Sequence, residues 1–122
     1  MAAPMTKFSV PVKQNAALIN DIHTEVVCSN YNDVAFIIVT QYQKMGTLMD
    51  ITKDVVLEDR GDATYTTKVL LGKDEPILHV IAKQIVTKIN LKKPVLLSLA
   101  LKDTSRETLR AILGLLEKAT VW

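Results

Sequence analysis

The sequence of 122 residues contains only one cysteine, Cys28. One cysteine excludes an intrachain disulfide, and with it a small fold held together by disulfides in an oxidising compartment. We therefore expect a cytoplasmic protein, with the nucleus as a second compartment. Cys28 follows two valines in a strand-like segment, where cysteine usually behaves as a small hydrophobic residue and not as a nucleophile.

Long apolar runs are also missing. The longest, Val95–Leu101, has seven residues and contains Ser98, whereas a membrane helix needs about 20. The first residues do not resemble a secretory signal, because Pro4, Lys7 and Pro11 interrupt them before an apolar stretch develops. We expect no association with a membrane.

Neither sign of charge is in clear excess. The chain has 15 Lys and Arg against 13 Asp and Glu, a formal net charge of +2. A nucleic-acid-binding domain normally carries a basic stripe, and the scattered lysines here do not predict one. Hydrophobic residues at 48% and charged residues at 23% are typical of a globular chain and exclude a disordered tail or a coiled-coil rod. One domain over residues 1–122 is expected, with the order of residues 1–13 left open.

Side chains that could form a catalytic or metal site are few. The two histidines are His23 and His79, and neither has a second ligand at metal-binding spacing. His79 lies between apolar positions of a predicted helix, which favours a structural role. Gly72-Lys73-Asp74 precedes that helix but lacks the spacing of a phosphate-binding loop. We predict a non-enzymatic protein with no cofactor and no metal.

The first half of the chain has the pattern of β-strands. Segments rich in β-branched and aromatic residues predict strands at 24–28, 34–40, 47–51 and 65–71, with weaker signals over residues 8–22. Gly46 lies between the second and third of these strands. Because glycine can adopt the positive φ of a tight turn, we expect these two strands to form a hairpin.

The second half predicts two helices separated by a strand. Two acidic residues precede Pro76, as at many helix starts, and apolar residues then recur on one helical face as far as Ile89. A strand follows at 95–101, and Thr104 and Glu107 have the spacing of a capping box before the second helix. The expected fold is α+β: an antiparallel sheet of five or six strands, built as a β-meander and then α-β-α, with two helices on one face.

The central strands predict an apolar surface that the helices do not cover. Side chains alternate along a strand, yet both faces of segments 34–40 and 95–101 are apolar. Large exposed apolar patches usually mark interfaces, so we expect dimerisation through the sheet; folding of the first 20 residues over this face is the alternative. The candidates for the interface or for the core are Phe36, Ile37, Val39, Leu96 and Ala100.

Residues 53–64 predict a long loop of mixed charge. Loops of this length within a compact domain are often functional. We predict that this one binds a partner through Lys53, Glu58, Asp59 and Arg60, whose charges would set register and association rate. The alternative is a solvated, mobile connection. Trp122, the single tryptophan, either anchors the last helix on the sheet or lies in an interface.

Several segments, taken together, are characteristic of one family. They are VTQY at 39–42, KMGTL at 44–48, TTKVLLG at 66–72, VLL at 95–97 and the final Val-Trp at 121–122. On these segments the chain resembles the proteasome assembly chaperone 3 family, in register from about residue 24 to the end. It departs from the family pattern at residues 1–23 and 53–64.

The resemblance implies a non-enzymatic chaperone of α+β fold that dimerises. It implies pairing with proteasome assembly chaperone 4, and a heterodimer that binds α subunits of the 20S proteasome, promotes correct α-ring formation and dissociates before the particle matures. Whether the isolated chain is a homodimer is left open. A small α+β dimeric scaffold without proteasome clients is the other interpretation of the same pattern.

Overall fold

A computed structural model describes residues 11–42, 46–54 and 64–122. These residues form six strands and two helices, in the order β1 Val12–Ile19, β2 Ile22–Asn30, β3 Ala35–Thr40, β4 Thr47–Lys53, β5 Tyr65–Leu71, α1 Pro76–Ile89, β6 Val95–Ala100 and α2 Arg106–Lys118. The predicted α+β class is confirmed. β1 lies in the region 8–22, where the sequence carried only weak strand signals, and it begins inside the segment 1–13. β2 contains the predicted strand 24–28 and extends it at both ends.

All six strands form one sheet in the order β1-β2-β3-β6-β4-β5. Four neighbouring pairs are antiparallel, whereas β3 and β6 are parallel. The sheet is therefore mixed, not purely antiparallel as predicted. After the edge strand β5, helix α1 carries the chain past β4 to a position beside β3. Because the connection is a helical crossover and not a tight turn, β6 can run parallel to β3.

The predicted hairpin between β3 and β4 is wrong, because β6 lies between them. Thr40 on β3 pairs with Ala100, and Thr47 on β4 pairs with Leu99. Gly46, just before β4, lies against the end of β6, where a Cβ on Gly46 would lie 2.8 Å from the Ala100 Cα. Glycine is required here for close backbone approach and not for a positive φ.

A two-residue turn joins β1 to β2. Asn20 and Asp21 adopt left-handed conformations, with φ of 50° and 63°, between the register partners Ile19 and Ile22. Positive φ at both central residues gives the tight turn whose twist suits antiparallel strands. Asn and Asp tolerate this conformation better than most residues, so this dipeptide was a local signal for the first hairpin that the sequence analysis missed.

One hydrophobic core lies between the sheet and the two helices. Its strand residues project from a single face of the sheet, and its helical residues lie on the inward sides of α1 and α2. Large, almost fully buried members are Ile37, Met49, Ile51, Ile81, Ile85, Leu97, Ile112 and Leu116. Burial of each such side chain stabilises the fold by roughly 1.5–3 kcal/mol. Apolar packing in this layer is therefore the main interaction that holds the helices against the sheet.

The two helices begin differently. Pro76 occupies the first turn of α1, as predicted, and Glu75 before it makes no side-chain cap. α2 begins after Ser105, whose Oγ accepts a hydrogen bond from the Thr108 N–H at 3.3 Å. The predicted cap at Thr104 is therefore one residue too early. Neither helix in the described ranges is long and apolar enough to cross a membrane.

Candidate protein-binding site

The face of the sheet opposite the helices, called here the open face, carries rows of apolar side chains. In one row Val27, Ile38, Ser98 and Leu48 are successive register partners across β2, β3, β6 and β4. All three apolar members of this row are half-buried and none belongs to the helix-side core. The open face thus presents a second apolar surface on the strands that form the centre of the sheet.

A second row on the open face changes from apolar to charged at the β4 side. Phe36 on β3 pairs with Leu96 on β6, Leu96 pairs with Asp50 on β4, and Asp50 pairs with Lys68 on the edge strand β5. An apolar centre with charged groups toward the edge is the usual composition of a protein-protein interface.

The five sheet residues chosen from the sequence divide between the two faces. Ile37 and Val39 are fully buried in the helix-side core. Phe36 and Leu96 lie half-buried on the open face, together with Ala100, which is 6% exposed at the end of β6. Because side chains alternate along a strand, Ile37 and Val39 lie in the core. Phe36, Leu96 and Ala100 lie on the face opposite the helices.

The open face is supported by buried polar groups that the sequence analysis did not identify. Ser98 is fully buried between two apolar residues of its row, and its Oγ accepts a hydrogen bond from the Gly46 N–H at 3.3 Å. The hydroxyl is thus satisfied without water, and it links Gly46 to β6.

Gln41 joins three parts of the fold at one end of the sheet. Its side chain is almost fully buried. Its Nε2 donates to Thr24 Oγ1 at 3.1 Å, and its Oε1 accepts from the N–H groups of Lys102 and Asp103 at 2.7 and 3.0 Å. One amide therefore connects β2, the end of β3 and the segment that leads into α2. Gln41 belongs to the family-like segment 39–42, but its partners become apparent only in the fold.

Asp103 links the β1–β2 turn to the start of α2 through hydrogen bonds. Its carboxylate accepts hydrogen bonds from Thr108 Oγ1 at 2.5 Å, from the Ser105 N–H at 2.9 Å and from Asn20 Nδ2 at 3.1 Å. These donors, Thr108 first, lower the pKa of Asp103 to about 2 because they stabilise the charged form.

Of the four loop residues chosen from the sequence, only Lys53 lies within the described residues. It ends β4, is half-buried, and its Nζ donates to Asn90 Oδ1 at 3.5 Å. Glu58, Asp59 and Arg60 lie outside the described residues. Next to Lys53, the Asp54 carboxylate accepts from Thr66 Oγ1 at 2.7 Å and from Thr64 Oγ1 at 3.0 Å, and these hydrogen bonds lower its pKa.

The two histidines have local partners. His79 on α1 lies with Nδ1 at 2.6 Å from Thr67 Oγ1 on β5 and with Nε2 at 2.6 Å from Asp74 Oδ1, so it links the helix to the edge strand. His23 contacts Glu25 at 2.9 Å on an exposed part of β2. Among the described residues, no three His, Cys, Asp or Glu side chains converge as metal ligands would.

Cys28 and Trp122 have structural positions. Cys28 is fully buried in the core, and burial raises the pKa of its thiol to about 11, which disfavours the reactive thiolate. Trp122 is half-buried and packs against the core, while the adjacent Val121 carbonyl accepts a hydrogen bond from Asn30 Nδ2 at 3.3 Å. Of the two roles considered for Trp122, the structure supports an anchor for the C-terminal segment.

The described residues thus define a small α+β protein with an apolar surface on the face of its sheet opposite the helices. The family model for proteasome assembly chaperone 3 matches residues 37–119. The chain belongs to the proteasome assembly chaperone 3 family, and the resemblance noted in the sequence is confirmed. Because this family consists of chaperones, the expectation of a non-enzymatic protein is confirmed as well.

Individual relatives extend over most of the chain. Proteasome assembly chaperone 3 of Nematostella vectensis is 46% identical over 120 residues, covering 89% of each chain. The Bos taurus and Homo sapiens proteins of that name are 41% and 38% identical, covering 90% of this chain and 93% of theirs.

A solved structure shares the fold. It is a chain of a chaperone complex for yeast 20S proteasome assembly, with a TM-score of 0.76, 13% sequence identity, and coverage of 88% of this chain and 97% of that one. At this identity the likeness concerns the fold alone.

Proposed function

We propose that this protein is one half of a heterodimeric chaperone for 20S proteasome assembly. It pairs with proteasome assembly chaperone 4, and the pair binds α subunits, promotes correct α-ring formation and dissociates before the particle matures. These events take place in the cytoplasm and, as a second compartment, in the nucleus. Family membership supports the assembly role, and the structural neighbour described as a chaperone complex supports the need for a partner.

The open face is the surface that carries this proposal. Val27, Ile38 and Leu48 form its apolar centre in one row, with Phe36 and Leu96 in the next. Strands paired on both sides offer no backbone groups to a ligand, so a partner must be recognised through side chains. A second sheet with a similar apolar face would bury these rows as two sheets do in a sandwich.

A charge placed on the open face tests the pairing. We expect Leu96→Asp to abolish formation of a stable heterodimer with co-expressed proteasome assembly chaperone 4, because an unpaired carboxylate would be buried in the interface. The matched control is Lys83→Asp, an exposed residue on α1. Size-exclusion chromatography with light scattering gives the oligomeric state, and circular dichroism shows whether each variant is folded. A folded Leu96→Asp chain that still forms the heterodimer would exclude the open face as the interface.

The charged segment after β4 is proposed as the client-binding loop. Replacing Lys53, Glu58, Asp59 and Arg60 together by Ala or Ser should weaken binding to α subunits and leave heterodimer formation intact. Unchanged affinity for the α subunits would remove the assignment of this loop. A homodimer of the isolated chain, formed through the same open face, would be lost in Leu96→Asp as well.

Retention of specific proteins by the tagged chain tests the proteasome role itself. A pull-down from cytosol, read by mass spectrometry, should retain a second small chaperone and α subunits but not the mature 20S particle. If the chain is folded and dimeric and retains neither, a dimeric scaffold without proteasome clients becomes the better description.

A further inference from the structure

A groove lies on the outer surface of the helical layer, on the side of the molecule opposite the open face. It runs between α1 and α2 and encloses about 450 Å³. The two helices are oriented in the same direction: Ile77 and Arg106, near the two N-terminal ends, both line the groove, and Lys88 and Glu117, near the two C-terminal ends, form an ion pair at 2.5 Å. The N-terminal halves of both helices therefore contribute to the same groove.

Apart from one glutamine, the α1 side chains that line this groove are apolar. Helix α1 already buries Leu78, Ile81 and Ile85 against the sheet. Ile77 and Val80 lie outside that face and are 40% and 49% exposed. An amphipathic surface helix normally carries polar residues at such positions, so these two side chains extend the apolar surface of α1 beyond the part that the fold buries.

The α2 wall supplies positive charge. Arg106 and Arg110 are one helical turn apart, both are exposed, and both line the groove. Among the described residues neither guanidinium has an ion pair or hydrogen bond, and no Asp or Glu lines the groove. The N-terminal ends of both helices add partial positive charge at the same place. The groove thus combines apolar side chains with two arginines that make no ion pair among the described residues.

We propose that this groove binds an acidic amphipathic segment of a partner protein. The partner's apolar side chains would cover Ile77 and Val80, and its carboxylates would pair with Arg106 and Arg110, for which the planar guanidinium is well suited. Positions 77 to 84 of α1 span roughly 10 Å, enough for two turns of a docked helix. Because the groove and the open face lie on opposite sides, both can be occupied at once, and this inference does not depend on which protein covers the open face.

A pair of synthetic peptides tests the proposal on the full chain. One is a helical peptide with Leu on one face and Glu beside it; the other has each Glu replaced by Lys. Binding is followed by ¹⁵N–¹H NMR titration. We expect the Glu peptide to shift the amide signals of residues 76–84 and 104–113, with at least about tenfold higher affinity than the Lys peptide and with strong sensitivity to salt.

Charge reversal gives the decisive comparison. The double variant Arg106→Glu/Arg110→Glu should lose the Glu peptide and gain the Lys peptide, and Val80→Asp should weaken binding of the Glu peptide by about tenfold or more. These residues are exposed, so the variants should fold, which the dispersion of the NMR spectrum shows directly. Equal affinity for the two peptides, an absence of shifts, or shifts confined to the open face would each overturn the proposal.

Discussion

Phe36 and Leu96 are register partners in the parallel pair β3–β6 at the centre of the sheet, and both point away from the helices. Their immediate neighbours Ile37 and Leu97 are partners as well, and these are fully buried beneath the helices. The same two strands therefore build both the core and the open face. This arrangement explains why almost every position of β3 and β6 is apolar: alternate residues face the core and the open face in turn.

Gln41 is expected to be the most important polar side chain for stability among those described. Gln41→Leu would remove three hydrogen bonds and leave the buried Thr24 hydroxyl and two backbone N–H groups without this partner. Unsatisfied buried groups cost about 1–3 kcal/mol, so the free energy of unfolding in urea should fall by about that amount or more. Gln14→Leu, at an exposed position of β1, is the control and should change it by less than about 0.5 kcal/mol.

Two glycines should respond in opposite ways to the same substitution. Gly46→Ala places a Cβ against the backbone of β6 and should destabilise the chain by about 1–3 kcal/mol. Gly114→Ala, on the exposed side of α2 with no atom within 4 Å of the added Cβ, should stabilise it by about 0.5–1 kcal/mol, because alanine is the better helix former. Thermal and urea unfolding measure both. A neutral Gly46→Ala would mean that Gly46 packs less tightly against β6 than the structure indicates.

Asp103 should make stability depend on pH in the acid range. Its pKa is lowered in the folded state from the ordinary 3.8 to about 2, so the ionised form is favoured by folding. The resulting stabilisation is fully present above about pH 4 and is lost as the pH falls toward 2. In Asp103→Asn the decrease in melting temperature between pH 5 and pH 2 should be smaller than in the parent chain.

The control for this pH profile is Asp33→Asn, in the exposed turn between β2 and β3. We expect it to leave the acid profile of the parent unchanged. If Asp103→Asn and Asp33→Asn gave the same profile as the parent, the contacts of Asp103 with Thr108, Ser105 and Asn20 would not contribute to acid stability.

Local sequence patterns predicted the helices well but not the strand order. Apolar periodicity located α1 through Ile89, and Pro76 correctly indicated its first turn. The insertion of β6 between β3 and β4 could not be predicted, because a direct hairpin and a crossed connection leave the same local pattern around Gly46. Pairing between distant segments is a property of the whole chain and has no local periodicity.

The candidate site could also be predicted only in part. Apolar residues on both faces of β3 correctly suggested a second apolar surface beside the core. Which residues form it depended on where the helices pack, and therefore Ile37 and Phe36 could not be separated before the fold was known. The groove between α1 and α2 was missed because Val80 and Arg110 are distant in sequence. In addition, an apolar residue such as Val80 is expected in a helix that packs on a sheet, so its exposure is not apparent from the sequence.

Cys28 should be chemically inert in the native protein. Its thiol is fully buried, and its raised pKa of about 11 leaves almost no thiolate at neutral pH. We expect a thiol-specific chromogenic reagent to react with less than about a tenth of the cysteine in native conditions and with one equivalent per chain in denaturant. Rapid labelling of the folded chain would show that the core around β2 opens readily.

Phe36 and Ile37, adjacent in sequence, should separate folding from partner binding. Ile37→Ala removes a fully buried core side chain and should lower the free energy of unfolding of the isolated chain by about 2–5 kcal/mol. Phe36→Ala truncates a half-buried side chain on the open face, so it should lower the free energy of unfolding of the isolated chain by clearly less. Its affinity for the partner chaperone should fall by more than about tenfold, because aromatic residues often dominate interface energy. Urea unfolding of the isolated chain and titration calorimetry with the partner measure the two effects. If both variants lost stability equally and bound the partner equally well, the assignment of the two faces to core and interface would be wrong.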